Sequence, residues 1–329
     1  MSRPGAASLR NLPVTRPAAL FPGQGSQTAG MGRALADASP AARAVFEEVD
    51  AALGERLSTV IFEGPQEILT LTENAQPALL ATSIAALRAL EERLGRPVAD
   101  LLHCVAGHSL GEYSALVAAG ALGLADAARL LRLRGAAMQR ATPPGTGAMA
   151  AILGLEAAVV VTIAAEAAQG EVCQLANDNA EGQAVVSGHV AAVERAVALA
   201  KAQGAKRAVM LQVSAPFHCA LMAPAAEELA PALATTRFAE PAVPLVANVT
   251  AEPVRDPAFL PELLVRQVTG RVRWRESMAT MARMGVDLVL ELGAGKVLSG
   301  LAKRGVPGAR VLAVGEPADL DAAAAALAG

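Results

Sequence analysis

The stretch of residues 101–120, LLHCVAGHSLGEYSALVAAG, decides the fold of this chain. Leu101–Gly107 is a short apolar run that stops at a glycine, and Glu112–Gly120 has the character of a helix. A buried strand, a sharp turn and a helix in this order are typical of α/β proteins that hold a serine at the apex of the turn. The stretch therefore predicts an α/β fold with Ser109 at the end of a strand.

The turn itself, Gly107-His108-Ser109-Leu110-Gly111, fits the G-x-S-x-G pattern of a nucleophile elbow. The serine backbone in such a turn is strained, so the flanking glycines avoid collisions between strand and helix. The hydroxyl projects into a cleft, and the next amide, that of Leu110, points at a developing oxyanion near the helix start. The pattern predicts Ser109 as a nucleophile.

The order of elements along the rest of the chain predicts two units. Residues 17–22 form a short buried strand, and helical patterns follow at Ala42–Leu53 and Pro77–Leu94. From 147 to 213 the order is strand, helix, strand, strand, helix, strand, which is typical of a ferredoxin-like unit. Its predicted elements are Met149–Leu153, Glu156–Ala168, Val172–Ala176, Ala184–Ser187, Val190–Gln203 and Arg207–Val213.

The inserted unit, residues 147–213, divides a larger α/β domain of residues 17–146 and 214–329, and residues 1–16 form a loose extension. The larger domain finishes with predicted strands at Leu245–Asn248, Asp287–Glu291 and Arg310–Val314. A parallel or mixed sheet covered by helices is the expected architecture.

Composition excludes several classes of function. The net charge of −3 and the pI near 5.9 give no built-in attraction to nucleic acid or an anionic membrane. The three cysteines, Cys104, Cys173 and Cys219, lack the spacing of a metal or redox site, so we predict no metal and a cytoplasmic location. The apolar stretch 148–165 is broken by Gly154 and Glu156, which favours a strand running into a helix over a membrane span.

A serine at neutral pH needs a base, and the chain has four histidines. His108 adjoins Ser109 and is predicted to be a packed structural residue, His103 to be buried on the preceding strand, and His189 to be solvated. His218, where the chain re-enters the larger domain, is the best candidate base by elimination.

The acid of a hydrolase triad is harder to find. Asp126 and Asp178 lie between the serine and the histidine, but neither follows a convincing strand. An imidazole oriented by a backbone carbonyl is the alternative. The lack of a convincing acidic residue argues against an ordinary esterase.

Arg132 and Arg134 lie on one largely apolar helical segment. An arginine on a helix surface can extend its charge into water, which is the preferred interpretation of Arg132. An arginine that faces the cleft would instead bind a carboxylate through two hydrogen bonds. The sequence alone does not choose between these for Arg134.

Taken together and in order, five motifs between about residues 17 and 314 resemble those of the malonyl-CoA:acyl-carrier-protein transacylases. They are Phe21-Pro22-Gly23-Gln24-Gly25-Ser26-Gln27, the elbow continued through Glu112-Tyr113-Ser114-Ala115-Leu116, Arg134 with Gly135-Ala136-Ala137-Met138-Gln139, Pro216-Phe217-His218-Cys219-Ala220-Leu221-Met222 and Glu291-Leu292-Gly293-Ala294-Gly295-Lys296-Val297-Leu298. The resemblance implies a hydrolase-like α/β domain with a ferredoxin-like insertion.

The resemblance also implies roles for the matching residues. Ser109 attacks the thioester, His218 takes and returns the proton, and Arg134 pairs with the free malonyl carboxylate. The amides of Gln24 and Leu110 form the oxyanion hole. Two further positions match the family: Gln267, whose main-chain carbonyl orients the histidine, and Asn179, a cleft asparagine.

Phe217 is familiar before the histidine in malonyl-selective acyltransferase domains of polyketide synthases, so it suggests a bulky wall that disfavours methylmalonyl. The implied substrate is malonyl-CoA and the implied partner an acyl carrier protein, which brings its own phosphopantetheine, so no cofactor is expected. The family suggests a monomer. A polyketide synthase or malonate decarboxylase carrier remains open as the acceptor. A serine hydrolase or thioesterase remains open as an alternative function.

Overall fold

The computed structural model describes residues 15–328, so all but the last two residues of the predicted N-terminal extension lie outside the described residues. Within this range the strands are β1 (Pro17–Phe21), β2 (Cys104–Gly107), β3 (Gly147–Leu153), β4 (Cys173–Ala180), β5 (Gln183–His189), β6 (Arg207–Met210), β7 (Leu245–Val246), β8 (Pro253–Val254), β9 (Leu288–Leu292) and β10 (Arg310–Val314). The α-helices there are α1 (Arg33–Ala38), α2 (Pro40–Leu53), α3 (Leu57–Glu63), α4 (Gln66–Thr70), α5 (Thr72–Leu94), α6 (Gly111–Ala118), α7 (Leu124–Arg140), α8 (Ala157–Ala168), α9 (Val190–Ala202), α10 (Ala223–Thr235), α11 (Leu260–Thr269), α12 (Trp274–Arg283), α13 (Val297–Gly305) and α14 (Leu320–Ala328).

The larger sheet has the order β10-β9-β1-β2-β7-β8. The pairs among β10, β9, β1, β2 and β7 are parallel, and only β8 runs antiparallel to its neighbour. Carboxyl ends of parallel strands meet at one edge, where open α/β sheets bind their ligands. The mixed sheet with helices on both faces confirms the predicted α/β class.

β1 shows how the larger sheet builds its core. Its alternate residues belong to different clusters, with Ala19 and Phe21 on one face and Ala18 and Leu20 on the other. Both faces are buried, so the strand is uniformly apolar rather than alternating. The first face packs mainly against α5, α6 and α7, and the second against α12 and α13.

The smaller sheet is antiparallel, with the order β4-β5-β3-β6, and α8 and α9 pack against it. Two strand–helix–strand halves with this strand order form a ferredoxin-like unit, as the sequence order predicts. The apolar stretch 148–165 is β3 followed by α8.

All four observed strands of the smaller unit differ in length from the predicted ones. β3 and β5 are longer at the ends that pair with each other, and the carboxyl ends of β6 and β4 differ most. The last strand ends at Met210 instead of Val213: the amide of Leu211 still donates to the carbonyl of Met149, but residues 211–213 continue along the cavity. β4 continues past Ala176 through polar residues to Ala180, because the backbone around Asn177 pairs with β5 on one side and with Val272 on the other.

The same segment joins the two sheets. Val272 accepts from the amide of Asp178 and donates to the carbonyl of Ala176. The buried carboxylate of Asp178 also accepts a two-pronged ion pair from Arg275 of α12. These contacts hold β4 against the segment that leads into α12.

Among the described residues, no helix is both long enough and apolar enough to cross a membrane.

Candidate active site

The elbow sits where two neighbouring parallel strands end. Phe21 and Gly107 are register partners at the carboxyl ends of β1 and β2, and Ser109 lies two residues further on. Ser109 has φ of 52°, a left-handed conformation that L-residues rarely adopt. The strained turn between β2 and α6 is therefore present as predicted.

Two glycines allow this turn. A Cβ on Gly111 would lie 2.2 Å from the carbonyl oxygen of Phe21, and one on Gly107 would lie 1.8 Å from the carbonyl oxygen of Gly111. Both distances are far inside van der Waals contact. The G-x-S-x-G spacing thus answers a requirement of backbone packing as well as of strain.

Asn248, which the sequence did not single out, clamps the elbow. Its side-chain oxygen accepts from the amide of Ser109 at 2.7 Å, and its side-chain nitrogen donates to the carbonyl of Gly107 at 2.7 Å. Asn248 follows β7, the neighbour of β2, and is fully buried. The Ser109 amide is therefore already paired and does not serve an oxyanion.

His218 is the hydrogen-bond partner of the Ser109 hydroxyl. Its Nε2 lies 2.8 Å from Ser109 Oγ, while its Nδ1 lies 2.9 Å from the carbonyl oxygen of Gln267 and 3.2 Å from that of Gly270. Since carbonyl oxygens only accept, Nδ1 carries the proton and Nε2 is free to accept the serine proton. A backbone carbonyl thus stands where a triad acid would be.

Burial, and then the positive charge of Arg134, lower the pKa of His218 to about 3. The imidazole is therefore neutral at physiological pH, which is the form a general base requires.

Arg134 faces the cleft, on α7, and its side chain is fully buried. Its Nη2 donates to Ser109 Oγ at 3.1 Å and to Gln267 Oε1 at 2.9 Å, and its Nη1 donates to Gln76 Oε1 at 2.8 Å. The guanidinium carbon also lies 5.9 Å from the centre of the Tyr113 ring. Its Nε is buried without a partner among the described residues.

Arg132 takes the other side of the same helix. It forms an ion pair with Glu55 and a hydrogen bond with Asn74 at the surface. The two candidate acids are also outside the site: Asp178 pairs with Arg275, and Asp126 pairs with Arg129 one helical turn away.

Gln267 meets the site through its side chain as well as its carbonyl. Its side-chain nitrogen donates to the carbonyl of Ser109 at 2.9 Å and to Glu112 Oε2 at 2.5 Å. Both oxygens of Glu112 lie 3.4 Å from the amide of Asn248. Glu112, fully buried at the first turn of α6, thus touches both groups that hold the elbow.

Gln24 and Leu110 flank the hydroxyl from the two strand ends. Gln24 follows β1 and Leu110 follows Ser109. Neither main-chain amide donates a hydrogen bond to another residue of the described range, and both residues line the cavity. Two free amides at this position have the form of an oxyanion hole.

His108 is packed, as predicted, but it also borders the cavity. Its ring lies 5.3 Å from that of Trp274, and its Nε2 is 2.9 Å from the side-chain oxygen of Asn179. Burial lowers the pKa of His108. Asn179 is therefore in the cleft, at the point where β4 passes the elbow.

Ser109, His218 and Arg134 line one cavity of about 360 Å³. Its inner wall includes Phe217, Met138 and Met149, which are buried. At its exposed border lie the large apolar side chains of Leu211, Val213 and Val297.

The remaining histidines lie elsewhere. His103 precedes β2 and is half-exposed rather than buried, because the strand begins only at Cys104. His189 is also half-exposed, and its Nδ1 accepts from the amide of Val172 instead of being fully solvated. Among residues 15–328, no group of three or more His, Cys, Asp or Glu side chains could hold a metal ion.

Sequence reasoning missed Gln76, Glu112 and Asn248. Glu112 stood inside the quoted elbow motif, but an acidic residue at a helix start is commonly explained by the helix dipole alone. Gln76 and Asn248 carried no local signal, because their partners lie 58 and 139 residues away along the chain.

Comparisons with known proteins agree with this geometry. The family model described as "Acyl transferase domain" matches residues 19–318. The malonyl CoA-acyl carrier protein transacylase of Salmonella typhimurium is 47% identical over 310 residues, covering 94% of this chain and 99% of that protein.

Solved structures give the same result. The acyl-carrier-protein-S-malonyltransferase from Bartonella henselae is 53% identical, with a TM-score of 0.93 over 96% of this chain and 100% of that one. A malonyl-transacylase solved in complex with its type II PKS acyl-carrier protein, PlMCAT:AntF, is 44% identical, with a TM-score of 0.91 over 95% of this chain and 100% of that one. The chain therefore belongs to the acyl transferase family, among the malonyl CoA-acyl carrier protein transacylases.

Proposed function

We propose that this chain transfers a malonyl group from malonyl-CoA to the phosphopantetheine thiol of an acyl carrier protein through a malonyl ester on Ser109. One observation carries the proposal: Ser109 Oγ contacts both a neutral imidazole, at 2.8 Å, and a buried guanidinium, at 3.1 Å. The imidazole suits proton transfer from the serine, and the guanidinium suits a substrate that carries a negative charge close to its reacting carbon.

The state of Arg134 supports a carboxylate substrate. The ion pairs among the described residues do not include it, and its buried contacts are with neutral oxygens. Glu112 interacts with Arg134 only through the attraction between their charges and forms no ion pair with it. A buried charge without a direct ion-pair partner is unfavourable, so an incoming carboxylate is bound strongly. The unpartnered Nε is one donor for that carboxylate. An acetyl group has no carboxylate and cannot accept from it.

In the first half of the reaction, Ser109 Oγ attacks the thioester carbonyl and passes its proton to His218 Nε2. The amides of Gln24 and Leu110 receive the oxyanion. The intermediate collapses with cleavage of the carbon–sulfur bond, and the proton on His218 goes to the departing sulfur of CoA. The malonyl ester on Ser109 remains.

In the second half, the carrier's thiol gives its proton to His218 and its sulfur attacks the ester carbonyl. Cleavage of the carbon–oxygen bond returns the proton to Ser109 Oγ. The carrier leaves as the malonyl thioester and the enzyme returns to its first state.

Binding of malonyl also changes the base. The charge of Arg134 is the second cause of the low pKa of His218. A carboxylate paired with Arg134 offsets that charge and so raises the pKa of His218 towards its usual range. The correct substrate thereby makes its own base stronger.

Phe217 forms part of the wall of the acyl site. Phe217 is 9% exposed and lines the cavity next to His218, the proposed base. A methyl branch on the substrate α-carbon would need space in this wall, so we infer a preference for malonyl over methylmalonyl. Asn179 lines the cavity and its side chain fixes His108, and we propose no contact between Asn179 and the reacting atoms.

The proposal also covers the cofactor, the oligomeric state, the domain boundaries and the location of the protein. The steps above need no cofactor, because the chain supplies the nucleophile, base and oxyanion donors. All of these groups come from one chain, which supports a monomer. The domain boundaries at 147 and 213 and the cytoplasmic location stay predictions, the first resting on element order and the second on cysteine content.

The acceptor that we propose is a fatty-acid or a polyketide carrier, and a malonate decarboxylase carrier is the further alternative. The polyketide carrier is supported by the similar structure of a malonyl-transacylase in complex with a type II PKS acyl-carrier protein. Both carriers present the same phosphopantetheine thiol, so they differ in docking and not in chemistry.

Intact-mass measurement tests the proposal. The protein is incubated separately with malonyl-, methylmalonyl- and acetyl-CoA, the adduct is mapped to a peptide, and each carrier is then added. We expect a malonyl adduct on Ser109 that moves to a carrier, with little methylmalonyl adduct. Free malonate without a malonylated carrier would instead identify a hydrolase.

A further inference from the structure

Glu112 lies at the junction of two hydrogen-bonded arms that hold the reacting groups. Its carboxylate is 1% exposed, at the first turn of the helix that follows the elbow. A buried carboxylate is costly unless it accepts good hydrogen bonds. Glu112 accepts two, from the side chain of Gln267 and from the main chain of Asn248.

The first arm runs through Asn248 to the nucleophile. Asn248 uses its side chain to hold Gly107 and Ser109, which fixes the strained backbone on both sides of the elbow. Glu112 takes the main-chain amide of the same residue. Movement of Asn248 would therefore change where Ser109 Oγ points.

The second arm runs through Gln267 to the carboxylate-binding guanidinium and to the base. The side-chain nitrogen of Gln267 gives its protons to Glu112 and to the carbonyl of Ser109, which leaves its oxygen for Arg134. Its main-chain carbonyl receives the Nδ1 proton of His218. One residue thus aligns both partners of the serine, and Glu112 determines which way its amide group faces.

We propose that the ionised carboxylate of Glu112 is a positioning residue for acyl transfer, since it is the common acceptor that locks the Asn248 arm and the Gln267 arm together. A carboxylate can accept from both donors at once. A glutamine, or a protonated glutamic acid, carries hydrogens on one side of the group and cannot accept equally from both. The inference rests on the proposed function.

Burial makes the ionisation of Glu112 sensitive to pH near neutrality. Burial raises the pKa of Glu112 to about 7, although Gln267, Asn248 and Arg134 all favour the ionised form. At limiting malonyl-CoA the rate reports the titration of the substrate-free protein. In that state the other titratable groups of the site are shifted elsewhere: the pKa of His218 is about 3, burial lowers the pKa of His108, and burial raises that of Tyr113.

The test is the rate of the first half-reaction as a function of pH. Single-turnover acylation of Ser109 by limiting malonyl-CoA is followed by quench and intact mass from pH 5.5 to 9, for the wild type and Glu112→Gln. At pH 8.5 we expect Glu112→Gln to be slower by roughly 10- to 100-fold, the equivalent of one hydrogen bond to a charged group. The wild-type rate should fall on acidification through about pH 7, and the gap should close below pH 6, because protonated Glu112 resembles glutamine.

Glu291→Gln is the matched control. Glu291 is also a fully buried carboxylate, and it accepts from the amides of Leu298 at 3.0 Å and Ser299 at 2.6 Å at the start of α13. Thermal unfolding of both variants measures the loss of structure. We expect Glu291→Gln to lose stability yet to keep the wild-type pH dependence of acylation.

Equal rates for Glu112→Gln and the wild type at pH 8.5 would overturn the inference, as would a gap that stays constant with pH. If Glu112→Gln does not fold, the wild-type profile decides, and a flat profile between pH 6 and 9 overturns it. A wild type that never forms the malonyl ester overturns the proposed function, and the inference with it. A wild type that acylates beside an equally active Glu112→Gln overturns the inference alone.

Discussion

Replacement of Arg134 by alanine should remove most of the preference for malonyl over acetyl that we propose for this chain. The guanidinium is the cation in contact with Ser109 Oγ, at 3.1 Å, and it is fully buried. An acetyl group presents nothing for it to pair with. The substitution therefore removes binding energy that only the malonyl substrate uses.

The size of the effect follows from the lost contacts. A carboxylate bound through two charge-assisted hydrogen bonds, each about 1.5–3 kcal/mol, gains about 3–6 kcal/mol. This corresponds to roughly 10²- to 10⁴-fold in the malonyl to acetyl ratio of kcat/KM. Loss of the Arg134–Ser109 contact slows both substrates alike, so it cancels in the ratio.

The cost in stability is separate. Alanine leaves the side-chain oxygens of Gln76 and Gln267 without their donor, at about 1–3 kcal/mol for each buried acceptor. Removal of a buried cation offsets part of this loss. We expect a folded variant with a lowered melting temperature.

The assay is release of CoA and formation of acyl-enzyme with malonyl-CoA and acetyl-CoA, with circular dichroism to verify folding. Arg132→Ala is the control, because Arg132 lies two residues away on the same helix but pairs with Glu55 at the surface. Its malonyl to acetyl ratio should equal that of the wild type. A folded Arg134→Ala that keeps the wild-type ratio would refute the assignment.

Three further outcomes are expected. Ser109→Ala should keep its circular dichroism spectrum and lose all covalent labelling by radioactive malonyl-CoA, and persistent stoichiometric labelling would exclude Ser109 as the nucleophile. Gly111→Ala should fold poorly, since its Cβ would lie 2.2 Å from the carbonyl oxygen of Phe21, and a wild-type melting temperature would contradict that close approach. The pKa of His218 falls from 6.5 to about 3 on folding, so the unfolded state binds more protons between these values, and the free energy of unfolding drops as pH falls through this window. His218→Gln should therefore lose less stability than the wild type in urea unfolding from pH 7 to pH 4, whereas parallel losses would contradict the buried neutral imidazole.

The parts of the fold that local sequence specifies were predictable. The elbow needs small residues at Gly107 and Gly111 because backbone atoms crowd both positions, and that need is visible as a pattern of five residues. Element order likewise predicted the mixed α/β class and the four-stranded antiparallel sheet. The predicted ends of β4 and β6 were wrong, because tertiary contacts determine them. Pairing with Val272 extends β4, and β6 ends where the chain continues along the cavity.

The two arginines of α7 show where local information stops. In a helix, two residues further along the chain correspond to a rotation of about 200° about the axis, so Arg132 and Arg134 lie on nearly opposite faces. Periodicity separates them, but the docking of α7 against α5 and α6 decides which one is buried. Only then does Arg134 meet Ser109 and Arg132 meet Glu55.

By itself, the sequence determined the strained serine, the histidine that remained after elimination and, through resemblance, the family and its cargo. The tertiary structure decided how those groups are held: Asn248 and Gln76 reach the site from distant segments, and Glu112 connects the two arms. The physical reason is that parallel strands bring their carboxyl ends to one edge regardless of separation along the chain, which places Asn248 at the elbow. The packing of α5 against α7 in turn brings Gln76 to Arg134. Burial at that edge then shifts the pKa values of His218, Glu112 and Arg134, which no spacing of residues records.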